Sequence, residues 1–212
     1  MPVDRLTPAD VPTATHTLAA AFADYPLIRA VAPTNRERAS AAFCGMHVRH
    51  AVADGTADAT ADRAAVACWL PPGRAAPSPL ALLRCGVLPL IWELGLSGAL
   101  LLERLGRQFE HQRRCHVPGP HWYLMLLGVA PAARGRGLAR AVLQPGFDAA
   151  DRDRLPCYLE TEGAANVPVY TRLGFTLVGR RRVAAGLWNW EMTRAPGHSR
   201  VGLLGGTGVP PV

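Results

Sequence analysis

The residues with the most evident chemistry are the six of Arg134–Ala139, RGRGLA. They follow an apolar run, Trp122–Val129 (WYLMLLGV), and precede a helical pattern from about Gly137 to Arg152. A strand that feeds a glycine turn and then a helix leaves four N–H groups unpaired at the helix start. The helix dipole adds roughly half a positive charge at the same point. Glycines let an anion approach the backbone closely, so the turn is suited to a phosphate-like group. Two known devices are excluded. A P-loop needs GxxxxGK[ST], and this chain has no lysine. A dinucleotide fingerprint needs GxGxxG in the first strand–helix unit, whereas this turn comes late and lacks the third glycine in its place. The pattern that remains is [QR]xxGx[GA], read as Arg134-Gly135-Arg136-Gly137-Leu138-Ala139.

Two carboxylates form the next candidate. PCYLET (Pro156–Thr161) reads as a strand, and alternation puts Glu160 and Glu162 on one face. A carboxylate there can take a proton from an ammonium group, directly or through water. Tyr170, in NVPVYTRLGF (Asn166–Phe175), offers a neutral phenol as a proton donor. Asn166 opens the same short helix. Tyr25, Trp69, Trp92 and Trp122 are expected to line an acceptor pocket. The histidines include His47 and His50 at i, i+3, but no HExxH or Cys/His set accompanies them, so no metal is expected.

The elements that must position these groups follow from pattern. PVDRLT is a short edge strand. Thr7 and Asp10 are spaced as a capping box ahead of a helix that runs to Tyr25. NRERASAAFCGMHVRHAVADG is a second helix, ended by Gly55, and TADAT with AAVACWL form a hairpin. A leucine-rich segment, about 78–114, is expected to be an apolar helical hairpin inserted in the domain. It carries Arg84, Pro89 and Glu93, so no stretch of about 20 residues is free of charge and membrane insertion is not expected. FTLVGRRRV and LWNWEMTR are two last strands, the first with a basic run suited to a sheet edge. The order is that of an α/β (α+β) domain with a mixed central sheet of about six to seven strands flanked by helices. Residues 1–196 are expected to form that single domain, and the Gly/Pro-rich 197–212 a flexible tail.

The totals narrow the function classes. The chain has 212 residues, 49% of them hydrophobic, enough for one sizeable core. Its formal charge is +7, carried by 23 arginines. That balance points to an anionic partner: a phosphorylated small molecule or, as the rival reading, a nucleic acid. The five cysteines are odd in number and show no CxxC spacing, as in reduced, mostly buried thiols of a cytoplasmic protein. MPVDRLTPADVP has no apolar core of a signal peptide.

Taken together, LAAAFADYP (Leu18–Pro26), AAVACW (Ala64–Trp69), Gly128–Asp151, PCYLET, NVPVYTRLGF and WNWEMTRAPG (Trp188–Gly197) resemble the GNAT superfamily of N-acetyltransferases along Val3–Arg194. Within it the chain looks most like the branch that contains puromycin N-acetyltransferase. The resemblance implies that acetyl-CoA is bound by Leu127, Val129, Arg134, Gly135, Arg136, Gly137, Leu138, Ala139, Asn166 and Tyr170. It implies Tyr170 as the donor to the departing thiolate and Glu160 as the base. Glu162 and the four aromatics would contact the acceptor, a small-molecule primary amine such as an aminonucleoside antibiotic. The implied protein is a monomer or homodimer, without nucleic acid, membrane or metal. The chain departs from the branch at Glu162, at Ala165 and in the more apolar leucine-rich segment. A GNAT fold that binds coenzyme A without catalysis, or that acts on a peptide amine, is the alternative.

Overall fold

In a computed structural model, residues 1–75 and 77–197 are described. The expected tail therefore lies outside the described residues, apart from Gly197.

Seven strands form one sheet in the order β1-β2-β3-β4-β5-β7-β6. They are β1 (Val3–Arg5), β2 (Thr56–Thr60), β3 (Ala65–Leu70), β4 (Trp122–Val129), β5 (Cys157–Thr161), β6 (Thr176–Arg182) and β7 (Trp188–Arg194). Every neighbouring pair is antiparallel except β4 and β5. The arginine-rich β6 is an outer strand, where charge discourages further strand addition. Seven helices flank the sheet: α1 (Val11–Phe22), α2 (Pro26–Val31), α3 (Arg36–Asp54), α4 (Pro79–Cys85), α5 (Val87–His116), α6 (Leu138–Asp153) and α7 (Val167–Arg172). The capping box ahead of α1 is present: the Thr7 hydroxyl and N–H both donate to Asp10 Oδ2.

Two apolar clusters hold the sheet from its two faces. One gathers α1, α2, α3 and α5 around Leu18, Ile28 and Val48. The other sets α6 on the sheet through Val142, Leu143 and Phe147. Leu18 and Leu143 are fully buried, and burial of each contributes about 1.5–3 kcal/mol. Strand β4 lies so close to α1 that a Cβ on Gly128 would sit 2.7 Å from Leu18 Cδ2; only glycine permits that approach.

The feature that opens the molecule is on β4. Opposite the step from Cys68 to Trp69, the partner on β4 moves from Leu126 to Leu124, so Met125 is an extra residue. Such a bulge bends its strand. The parallel pairing with β5 covers only Trp122 with Cys157 and Tyr123 with Tyr158. Beyond Tyr123 the two strands part, and the edge Leu124–Val129 is left without a strand beside it on that side.

The leucine-rich segment is helical, as expected, but it is not a hairpin. Helices α4 and α5 meet at 98°. The corner is Gly86 at φ 90°, and α5 breaks again at Gly95, with φ 65° and ψ 175°. These conformations are easy only for glycine, so the chain turns a corner there instead of folding back on itself. The segment is amphipathic on a slant: Leu90, Leu94 and Leu105 face inward, while Leu88, Trp92, Leu96 and Leu100 form an exposed ridge. Among the described residues no single helix is long and apolar enough to cross a membrane; the bent α4–α5 pair passes that test together, by length and composition.

Candidate active site

One cavity of about 1110 Å3 runs through the gap between β4 and β5. At one end lie Arg134, Gly135, Gly137, Leu138, Ala139 and Arg140. Leu127, Val129 and the rest of the splayed strand form a wall. Tyr25, Glu160, Glu162, Asn166 and Tyr170 meet in the middle. Beyond them the cavity continues between α3, α4 and α5.

The turn is made by the main chain. Gly135 and Gly137 have φ 79° and 75°, values costly for residues with a side chain. A Cβ on either would meet nothing within 4 Å, so conformation and not crowding demands glycine. Gly137 is the N-cap of α6 and offers no side chain to the first turn. The unpaired amides of that 16-residue helix therefore face an open space bordered by Arg134 and Arg140, which is the cradle an anion needs.

In the middle, hydrogen bonds fix the side chains. Thr161 Oγ1 accepts from Asn166 Nδ2 (3.0 Å) and from Gly163 N–H (3.3 Å). Both lone pairs are then used, so the Thr161 hydroxyl donates to Tyr25 Oη, 2.8 Å away. Tyr25 Oη also accepts from the Glu162 N–H at 2.8 Å. Its own proton is left for the Glu162 carboxylate, whose pKa that bond lowers. Burial outweighs the bond: with the charge of Glu160 close by, Glu162 is pushed up to about 8. Glu160 Oε1 accepts from Tyr123 Oη at 2.5 Å. Burial raises Glu160 to about 7, against the opposing pull of that phenol and of Arg113. Two buried carboxylates close together cannot both be charged cheaply, so the charge of Glu160 adds to burial in favouring the protonated form of Glu162. Tyr170 is packed edge-on to Phe175 at 5.8 Å. Its hydroxyl has no hydrogen-bond partner among the described residues. Burial and the two carboxylates raise its pKa, which keeps the phenol protonated.

The structure thus brings Tyr25, Glu160, Glu162, Asn166, Tyr170, Leu127, Val129, Arg134, Gly135, Gly137, Leu138 and Ala139 to one cavity. Four expected residues are elsewhere. Arg136 is exposed and lies near Asp62, outside the lining. Trp69 is fully buried under α6, so close that a Cβ on Gly146 would strike its ring at 2.3 Å. Trp92 is 81% exposed. It sits two positions from both Leu90 and Leu94, which bury the opposite side of α5, and two positions is some 200° around a helix. Trp122 is buried against α6, with Nε1 donating to Asp153 Oδ2 at 2.9 Å. Asn166 stands at the N-cap of α7 but its side chain bonds Thr161 instead of capping.

Sequence reasoning missed Tyr123, Arg113 and His47. Simple alternation does not find Tyr123: the bulge at Met125 switches faces, so Trp122 and Leu124 share the α6 side with Leu127 and Val129, while Tyr123 and Met125 face the other way. Arg113 comes from the end of α5. It is buried, stacks over Tyr123 at 4.8 Å and pairs with Glu110. No local pattern announces such a contact. Of the five cysteines, all free, only Cys115 is exposed.

Residues 64–175 match the acetyltransferase (GNAT) family. The uncharacterized N-acetyltransferase C550.08 of Schizosaccharomyces pombe is 29% identical over 122 residues, 54% of this chain and 48% of that protein. The chain spans about half the length of that curated relative. Among solved structures, the histone acetyltransferase HPA2 and related acetyltransferase of Corynebacterium glutamicum is 24% identical, with a TM-score of 0.66 over 92% of this chain and 96% of that one. Arylalkylamine N-acetyltransferase 2 of Aedes aegypti is 15% identical, with a TM-score of 0.65 over 92% and 98%. These two are likenesses of fold. The family match covers more than half of the residues and contains the turn, the bulged strand and Tyr170, and on that ground the chain belongs to the acetyltransferase (GNAT) family.

Proposed function

We propose that the protein is an acetyl-CoA-dependent N-acetyltransferase acting on the primary amine of a small molecule by direct attack. The observation that carries the reading is the continuity of the cavity. It runs from an anion cradle at Gly135–Gly137, along an unpaired strand edge, past Tyr170, to the carboxylates. The residues fit coenzyme A on two counts: the open space over the α6 amides suits a pyrophosphate, and the free edge of β4 suits an amide-bearing chain. Bound acetyl-CoA would supply an acetyl thioester, whose acyl carbon takes the C–N bond as the C–S bond breaks.

The remaining tasks belong to this chain. Glu160 and Glu162 hold the ammonium form of the acceptor and take its excess proton, Glu160 as the base. Their raised pKa values suit that transfer near neutral pH. A main-chain N–H near Val129 donates to the oxygen that gains charge. Tyr170 holds its proton at Oη, unshared, and gives it up toward the leaving sulfur. Arg134 supplies charge at the cradle, and Asn166 holds the β5–α7 corner beside it. Cys157 is no nucleophile in this scheme: burial pushes its thiol up to about 12. Residues 1–196 act as one domain, in the cytoplasm, as a monomer or homodimer. The acceptor includes aminonucleosides such as puromycin, because the resemblance to that branch holds at Tyr25, Glu160 and Tyr170.

Thiol release from acetyl-CoA, measured over a panel of primary amines with puromycin among them, tests the reading. Release above the amine-free rate with at least one amine is expected. If acetyl-CoA raises the Tm but no amine gives release, the chain binds the donor without catalysis.

A further inference from the structure

The far arm of the cavity, beyond the carboxylates, differs from the rest. Phe43 and Met46 of α3, Leu82 of α4, and Leu102 and Phe109 of α5 line it. It also holds ionisable groups, and each is accounted for. The Cys85 thiol is buried and its pKa raised by that burial. Glu110 pairs with both Arg113 and Arg114, the latter at 2.7 Å. Asp24, at the cleft, is exposed and pairs with Arg36 at 3.0 Å. His50 is buried and its pKa is lowered. His47 packs on the Phe43 ring at 4.1 Å. Its Nδ1 lies 2.8 Å from the Phe43 carbonyl oxygen. A carbonyl only accepts, so Nδ1 carries the hydrogen and Nε2 is left as a bare lone pair. No described residue bonds Nε2. Burial pushes His47 down to about 4, so the ring stays neutral at physiological pH.

We infer that the acceptor is a lipophilic primary amine: one ammonium group at Glu160 and Glu162, an apolar body along the far arm, and a hydrogen-bond donor at its end for His47 Nε2. This rests on the acetyltransferase reading and deepens it. The argument is as much exclusion as fit. A second ammonium, as in a polyamine, would enter an arm where Glu110 is already held by two arginines and the exposed Asp24 by Arg36, and an unpaired buried charge is costly. A polyhydroxylated amine would lose its water against aromatic and aliphatic walls that offer few partners. An aryl or alkyl body loses nothing there, and each buried methylene contributes about 0.8 kcal/mol, roughly a fourfold gain in affinity. A phenol or similar donor meeting Nε2 adds about 0.5–1.5 kcal/mol, roughly two- to tenfold.

The test is the kcat/KM of the full chain with acetyl-CoA, read by thiol release, for 2-phenylethylamine, tyramine, n-octylamine, ethanolamine and spermidine. The aryl and octyl amines are expected to exceed ethanolamine and spermidine by at least about thirtyfold, the yield of a few methylenes. Tyramine is expected to exceed 2-phenylethylamine by two- to tenfold, and His47→Phe, which keeps a ring and removes the lone pair, should bring that ratio to about one. Spermidine or ethanolamine at or above the lipophilic amines would overturn the lipophilic class and leave acetyl transfer standing. No release from any amine would overturn the acetyltransferase reading itself. A tyramine preference that survives His47→Phe would overturn the role of His47. Because the wild-type ranking needs no variant, the class remains testable even where His47→Phe does not fold.

Discussion

The two halves of the cleft are made of different material. The half assigned to coenzyme A is main chain: a turn at positive φ, the amides that open α6, and a bulged strand edge. Its side chains are largely incidental, and Arg136 points away altogether. The half assigned to the amine is side chain. Tyr25 arrives from the α1–α2 corner, His47 from α3, Leu82 from α4, Arg113 from α5 and Glu160 from β5, and they meet only because the core packs as it does. A main-chain site is rigid and local, and tolerates change in everything except its backbone conformation. A side-chain site is assembled over long sequence distances and can change its ligand one residue at a time.

The largest expected effect breaks the main-chain half at a single atom group. Gly137→Glu places a carboxylate where an anion would sit, and forces a non-glycine residue to φ 75°, at about 1–2 kcal/mol. Wild type should gain about 2.7 kcal/mol of stability at a hundredfold excess of acetyl-CoA over Kd. In Gly137→Glu that gain should vanish, as read from Tm with and without acetyl-CoA. If the variant keeps the full shift, the turn is not the anion site. The amine half has no equivalent residue, because no one side chain carries it.

That contrast explains what could be read from the sequence. The turn was legible because its chemistry lies within six consecutive residues, and strand, glycines and helix start each left a local pattern. Most elements were legible for the same reason, from hydrophobic period and caps. The corner at Gly86 was missed because a hairpin and a corner have the same composition; only the φ of one glycine separates them. The tryptophans were misplaced because size and polarity say nothing about facing. Trp122 and Tyr123 are adjacent, and the pleat sends the first into the core and the second into the cleft. Trp69 lies under a helix that starts 69 residues later, and no window of sequence contains both. His47 was visible as a residue, but its bare Nε2 depends on a carbonyl one turn away and on an arm closed by α5.

The next effect sits where the halves meet. Tyr170→Phe keeps the ring against Phe175 and removes a cleft hydroxyl that, among the described residues, shares its proton with nothing. The donor is needed only as the sulfur leaves, so the loss belongs in kcat. General-acid catalysis is typically worth about 10²–10⁴-fold, but a thiol leaves readily and water can substitute, so a loss of about 10–100-fold is expected. The acetyl-CoA Tm shift should be unchanged. Wild-type kcat in Tyr170→Phe would remove the acid from the scheme while the cradle stands. A lost Tm shift would instead mean that Tyr170 belongs to the donor half.

The smallest effect concerns stability, and it separates the halves by their electrostatic cost. The glycine turn buries no charge, whereas the amine half buries two carboxylates with raised pKa values. For such a group the folded chain binds more protons than the unfolded one between the ordinary value, 4.5, and about 8 for Glu162. Stability therefore falls as pH rises through that window, since its slope follows protons bound unfolded minus protons bound folded. Below the window the carboxyl is neutral in both states and the cost is absent. Glu162→Gln keeps the shape and is neutral throughout. Its Tm should match wild type near pH 4 and exceed it increasingly up to about pH 8, then stay parallel. For a chain of this length each kcal/mol relieved raises Tm by about 2–4 °C. Thermal unfolding of both proteins from pH 4 to 9, without ligands, measures the difference. A constant gap between the two curves would mean that Glu162 is charged in the folded state without cost. A bound lipophilic amine in wild type should close the same gap by supplying the missing positive charge, so the instability that Glu162→Gln removes is the binding energy that the ammonium would otherwise find.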